Sequence, residues 1–212
     1  MLTDVERQLG AVERKVVSLE KDGAPARAVI LSRTYETTIE DLWDALTTKE
    51  RLPRWFAPVE GDLKSGGRYQ VEGNAGGKII ECEPPRKFSL TWEIFDDVSW
   101  VDVALNAESP ESARLTLTHT AKLSPHWEQY GPGATGVGWE LGLLGLALYV
   151  ANPKAEKIDE AAFAASSEGK AFARGSSKYW GEAAVSAGEA PEAAHAAAAR
   201  TAAFYSGESE AT

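Results

Sequence analysis

The chain holds one cysteine, Cys82, one methionine and three histidines in 212 residues. A lone cysteine excludes an internal disulfide. His119, His126 and His195 fall in no ligand spacing such as H-E-x-x-H, so neither a thiolate nor an imidazole cluster is available for zinc and no metal is expected. Positive charge is scarce too: 22 Lys and Arg stand against 32 Asp and Glu, a formal net charge of -10. A field of that sign repels nucleic acid and anionic lipid, which leaves neither as an expected partner. The opening MLTDVERQLG is acidic and polar, unlike an export signal, and a cytoplasmic location is the expectation.

What is present is core material. Hydrophobic residues make up 43% of the chain, enough for one sizeable domain with an extension or for two small domains. AVERKVVSLE and ARAVILSRTY read as two strands joined by the turn-forming KDGAP, although the first could also start as helix. In TTIEDLWDALTTKERLPRWF, Ile39, Leu42, Trp43 and Leu46 recur at helical spacing behind Thr38, and a turn or second helix follows around Arg51 to Phe56. From Gly66 to Lys122 the period becomes 2: KFSLTWEI alternates Phe88, Leu90, Trp92 and Ile94 with polar residues, and RLTLTHT does the same with Leu115, Leu117 and His119. RYQVEG, GKIIECE and SWVDVAL complete a meander of about five antiparallel strands, an α+β layout. Beyond residue 151 the sequence is rich in Ala and Glu. It reads as two or three helices broken at Gly169 to Ser177 and at Gly188 to Pro191, anchored by Phe163, Phe172, Tyr179, Trp180, Phe204 and Tyr205. A partly disordered tail is the rival reading.

GPGATGVGWELGLLGLALYV, residues 131 to 150, offers two false leads. It begins with the G-x-G-x-x-G spacing of a dinucleotide loop, but SPHWEQY before it reads as loop rather than strand. NPKAEKIDEAA, some 20 residues on, reads as helix, so no nucleotide cofactor is expected. The apolar run from Leu141 to Ala151 is eleven residues, short of the ~20 of a membrane span. A soluble helix remains. On a helical wheel Val137, Leu141, Leu144 and Leu148 form one apolar stripe and Trp139, Leu143, Leu146 and Val150 another, so the helix needs cover on two sides. Between them run Gly138, Gly142, Gly145 and Tyr149, a row that suits close backbone approach more than space for a ligand.

The order of strand, short helical excursion, antiparallel sheet and one long helix is that of a helix-grip fold. Six segments, LWDALTTKERLPRWFAP, GGRYQ, ECEPPRKFSLTWE, SWVDVAL, RLTLTH and GWELGLLGL, resemble the activator of heat-shock-protein-90 ATPase homologue-like branch of the SRPBCC (START and Bet v 1-like) superfamily. The resemblance covers roughly residues 27 to 150. It implies a sheet wrapped on a long helix around an apolar cavity, and it divides the chain into an N-terminal strand or hairpin segment (1–26), the helix-grip domain (27–151) and a helical extension packed on the grip helix (152–212).

An inward sheet face of Tyr69, Val71, Trp92, Val101, Val103, Leu117 and His119, with Trp43, Trp55 and Phe56 at one end and Trp139, Leu143 and Leu146 from the helix, suits a hydrophobic or aromatic small molecule. Each of these residues also reads as ordinary core. Non-catalytic binding is the expected function, with no cofactor and a monomer or homodimer as the assembly. A co-chaperone-like interaction module and a cyclase-like or hydratase-like enzyme using His119 are the alternatives. His119 is read as the one titratable residue facing inward, while Glu72, Asp102, Glu81 and Glu140 read as solvated or rim charges.

Overall fold

A computed structural model describes residues 4–208. The local sequence signals set most elements. Asp22 and Gly23, at φ of 51° and 73°, both adopt the left-handed conformation that a two-residue hairpin turn requires. They join strand β1 (Glu13–Lys21) to β2 (Ala24–Tyr35), after a short helix α1 (Val5–Gly10) whose first turn is capped by Asp4. Thr38 caps helix α2 (Ile39–Thr47), followed by a 3-10 turn at Leu52–Arg54. Strands β3 (Val59–Gly61), β4 (Arg68–Val71), β5 (Gly76–Glu83), β6 (Lys87–Ile94), β7 (Asp97–Ser109) and β8 (Ser112–Lys122) come next. The sheet order is β1-β2-β8-β7-β6-β5-β4-β3, and the architecture is α+β and antiparallel, the helix-grip arrangement. A register shift between Ile79 and Glu81 changes the facing of β5 midway: Ile79 lies opposite Leu90, but Cys82 lies opposite Phe88.

The helical part differs from the sequence expectation in three places. SPHWEQY is not loop: Ser124 caps a short helix, α3 (Pro125–Tyr130). NPKAEKIDEAA is mostly irregular over 152–159, and helix α5 (Glu160–Ala165) starts only behind the Asp159 cap. Helix α6 (Ser167–Ser186) runs unbroken through Gly169 and Gly175, because each glycine admits a neighbour, Phe163 and Leu9 respectively, that a methyl group would strike. The expected break before Pro191 is present, where α7 (Pro191–Ser206) begins.

The long helix α4 (Gly133–Ala151) has 19 residues, eight more than the uninterrupted apolar run. It extends through Glu140, which was expected at a solvated rim and is instead only 1% exposed. The carboxylate is neutralised in place. Arg14 on β1 grips it through two parallel bonds, Nε to Oε1 at 2.6 Å and Nη2 to Oε2 at 2.7 Å, while donating to the carbonyls of Val12 and Leu9 and lying 4.8 Å from the Tyr179 ring centroid. By length and composition α4 would also pass for a bilayer span. Its ion-paired Glu140 and the buried Val137, Leu143, Leu144 and Leu146 are the contacts of a helix inside a protein.

The molecule divides into two compact units, and β2 and α4 each run from one into the other. The first contains the chain up to Leu31, Lys122–Leu141 and the part from Ile158 on. Here Trp180 and Phe172, each 1% exposed, form the aromatic centre. The Trp180 ring lies directly against Gly136, and α6 meets α7 where Gly181 faces Ala198. Polar side chains of α7 close exposed helix ends: Thr201 Oγ1 donates to the Tyr130 carbonyl at 2.8 Å and Arg200 Nε to that of Gln129 at 2.6 Å, satisfying two of the terminal carbonyls of α3. The second unit, Ser32–Ala121 with Gly142–Lys157, holds the sheet from the end of β2 to β3 and the second half of α4. There Trp55 donates to the Ala45 carbonyl at 2.9 Å, and its own carbonyl sits so close to Gly145 that an added Cβ would stand 2.6 Å away.

Arg14→Met and Glu140→Leu should each cost about 3–5 kcal/mol, since each strands a buried charge, whereas the double variant should regain most of the loss. Urea denaturation of the four proteins measures this, and simple addition of the two losses would contradict it. Within the α4 glycine row, Gly142→Ala meets nothing within 4 Å and should stabilise by about 1 kcal/mol through helix propensity, while Gly145→Ala should destabilise. Thermal unfolding of the pair distinguishes the two signs.

Candidate functional site

Strand register brings the inner-face residues of the second unit together. Phe88, Leu90 and Trp92 of β6 lie opposite Val103, Val101 and Ser99 of β7, and Val103 and Val101 lie opposite Leu117 and His119 of β8. At one end of this face an aromatic group forms: the Trp92 ring centroid is 6.5 Å from that of Tyr69 and 6.4 Å from that of His119. At the other, Trp43 of α2 meets Phe88 edge-on at 5.9 Å. Val101, Val103 and Leu117 between them are buried, as are Leu143 and Leu146 of α4. Val71 is buried opposite Val59, Trp55 is buried against α2, and the half-buried Phe56 stacks on Trp55 at 5.4 Å. Trp139 is half-buried and belongs to the first unit.

His119 has a polar partner that the sequence reading missed. Its Nε2 is 2.8 Å from Ser99 Oγ, and Ser99 Oγ in turn lies 3.1 Å from the Trp92 carbonyl. A hydroxyl has one proton, so both bonds are satisfied when His119 donates from Nε2 and Ser99 donates to the carbonyl. The parity of SWVDVAL places Ser99 on the face of Val101 and Val103, and that was the available signal. Burial pushes His119 down to about 4 from its usual value, so the imidazole is neutral near pH 7. The remaining carboxylates take no part: Glu72 and Asp102 are exposed, and Glu81 pairs with Lys87 at 3.0 Å beyond the β5 register shift.

Arg33 is a buried charged residue on β2 that the sequence reading did not single out beside the titratable His119. It alternates with Leu31 and Tyr35 on β2, is 8% exposed, and its guanidinium carbon lies 5.6 Å from the Tyr35 ring centroid. Tyr35 reaches the Leu143 carbonyl of α4 with its hydroxyl at 3.2 Å, and the desolvation of burial raises the pKa of that hydroxyl. The period-2 pattern Leu31-x-Arg33-x-Tyr35 was legible, but an arginine at an inward position is set aside as a surface residue when burial is weighed by residue type alone.

Because the folded-state pKa of His119 is depressed, the unfolded chain binds more protons between about pH 4 and its ordinary value near 6.5. Its contribution to stability is complete above that window and lost as pH falls through it. Following the imidazole proton signals by NMR should show no titration above about pH 5, and His119→Phe should flatten the stability profile across the window; a midpoint near 6.5 would contradict the assignment.

Comparison with known proteins agrees with this architecture. The family described as "Activator of Hsp90 ATPase homolog 1-like protein" matches residues 36–151. A mouse (Mus musculus) protein, "Activator of 90 kDa heat shock protein ATPase homolog 2", is 28% identical over 98 residues, which are 44% of this chain and 30% of that protein, so the chain spans less than a third of the curated relative it matches. CalU16 from Micromonospora echinospora is similar in its crystal structure at 31% identity and TM-score 0.60, covering 68% of this chain and 88% of that one. Its solution structure is similar at 27% identity and TM-score 0.69, covering 84% and 97%. The Aha1 dimer from Colwellia psychrerythraea, at 15% identity and TM-score 0.52 over 60% of this chain and 98% of that one, shares the fold. With more than half of its length matched and the six sequence segments in place on α2 and its following turn, the sheet and the grip helix, the chain belongs to the activator of Hsp90 ATPase homologue 1-like family.

Proposed function

We propose that this protein binds a hydrophobic or aromatic small molecule on the inner face of its sheet and does not transform it. The observation that carries this reading is the exposure of β6. That strand has a neighbour on each side, yet Phe88, Leu90 and Trp92, its three large inner-face side chains, are all only half-buried. Three apolar side chains left partly open in the middle of a sheet are a surface that a greasy ligand would cover, at roughly 25 cal/mol per Å² of apolar area removed from water. Ser99 and His119 supply one polar point at its edge for orientation.

The protonation state of His119 favours binding over catalysis. A general acid or base works best with a pKa near the working pH, and an imidazole held at about 4 by burial is a poor proton carrier near neutrality. We take helices α5 to α7 of the C-terminal segment as a support for the grip helix, a role that the contact of Trp180 with Gly136 favours. A second reading, a co-chaperone-like interaction module, draws on the family and on the β6–β7 hairpin tip, where Phe95 is fully exposed between Ile94 and Val98, 42% and 41% exposed. Calorimetry with purified Hsp90 tests that reading, and no heat of binding would remove it.

For the primary reading, titration with the neutral dye N-phenyl-1-naphthylamine should give saturable one-to-one binding with energy transfer from tryptophan. Filling the face with Leu90→Trp should weaken binding about tenfold or more, some 1.4 kcal/mol. Dye fluorescence that rises linearly without saturation in the wild-type protein would contradict the proposal.

A further inference from the structure

We propose that β1 is the seam of a two-fold symmetric homodimer, in which two copies of this chain join edge to edge and their sheets run on as one. β1 and β3 are the two ends of the sheet, so each presents one side that no other strand of the described residues pairs. Such edges invite pairing with another chain, and proteins blunt them by shortness, proline or charge. β3 is blunted, with only three residues, the last of them Gly61. β1 has nine residues and contains neither proline nor glycine, and Glu13, Lys15, Ser18, Leu19 and Glu20 are exposed along it.

The hairpin turn fixes which backbone groups β1 offers. With Asp22 and Gly23 as its two residues, Lys21 and Ala24 form the closing hydrogen-bonded pair, so the odd-numbered residues of β1 bond to β2. The N–H and C=O groups of Arg14, Val16, Ser18 and Glu20 therefore point away from the sheet. Two such edges can pair antiparallel about a two-fold axis at Val17, the central residue, and the whole strand is then used. Val16 exchanges bonds with Ser18 of the second copy, and Arg14 with Glu20.

The side chains of ERKVVSLEK match themselves in that register. Glu13 stands opposite Lys21 and Arg14 opposite Glu20, each twice by symmetry, and no like charges are opposed. Sliding one copy by two residues sets Lys15 against Lys21 in one direction and Glu13 against Leu19 in the other, so charge selects the symmetric register. Glu13 and Lys21 also interact within their own chain, and the pairing needs neither to be unengaged, since an exposed charge can face two partners. Arg14 and the buried Val16 share the inner face, which puts Val17 and Leu19 on the outer one. There the two Val17 residues meet at about 4.5 Å between Cα atoms, and Leu19 lies diagonal to Val17 of the second copy. The 37% exposure of Leu19, a large apolar side chain on an edge strand, is reduced by this contact.

One strand from each copy makes a small interface, so the test is sedimentation equilibrium from about 10 μM to about 1 mM, where weak complexes assemble. The wild-type protein should pass from monomer to dimer across that range. Ser18→Pro removes an N–H that points away from β2 and should leave a folded monomer, checked by circular dichroism. Lys21→Glu sets like charges opposite each other at two places and should weaken the dimer about tenfold, and Glu13→Lys with Lys21→Glu together should restore it. A wild-type protein that stays monomeric at the highest concentration overturns the proposal, as does a dimer that folded Ser18→Pro leaves intact. If Ser18→Pro does not fold, the charge swap decides: a double variant no tighter than Lys21→Glu alone overturns the register.

Discussion

The buried pair of Arg14 and Glu140 is the constraint on which the long helix depends. A carboxylate in the middle of an apolar helix cannot be left in a dry interior, and the cost of burying it is several kcal/mol unless a partner meets it with good geometry. Arg14 does so with both arms of its fork, and its remaining donors hold the chain that leads from α1 into β1. One side chain thus ties the start of the sheet to the middle of α4, with Tyr179 of α6 against its face. An ion pair of this kind adds little net stability compared with a hydrophobic pair, but it admits one register of helix against strand.

The two halves of α4 then serve different neighbours. In the first unit the helix is built for closeness: Gly133 faces Thr201, Gly136 takes the Trp180 ring, and Gly138 faces the Tyr205 hydroxyl. In the second, Gly145 lets the Trp55 carbonyl approach, and Tyr149 accepts a bond from Arg51 at 2.8 Å while Arg51 pairs with Asp41. The glycines cost helix propensity and are offset by the aromatic rings and backbone that fill the space a side chain would need. Leu143 and Leu146 remain to face the protein interior, alongside the Tyr35 hydroxyl bond.

The fold was legible because it is written in periods and caps. Period-2 runs at Phe88 to Ile94 and Leu115 to His119 gave the strands and their inner face, Asp22-Gly23 gave the hairpin, and Thr38 gave the start of α2. The errors have a common cause, which is that the partner deciding the outcome lies far away in sequence. Glu140 is buried because of Arg14, 126 positions earlier, and α6 continues through its glycines because Leu9 fills the gap at Gly175. Of the site, parity found the apolar wall. It missed Ser99 and Arg33, although both sit at inward positions, since small polar and charged residues are discounted as core by type.

On the proposed function, the inner face of the sheet, open at β6 and polar at the Ser99–His119 pair, is the working surface of the protein. Backbone amide shifts followed by NMR during titration with N-phenyl-1-naphthylamine test this most directly. The proposed function predicts saturable shifts concentrated at residues 88–92, 99–103 and 115–119. Shifts confined to the Phe95 hairpin tip, or none at saturating ligand, would contradict it.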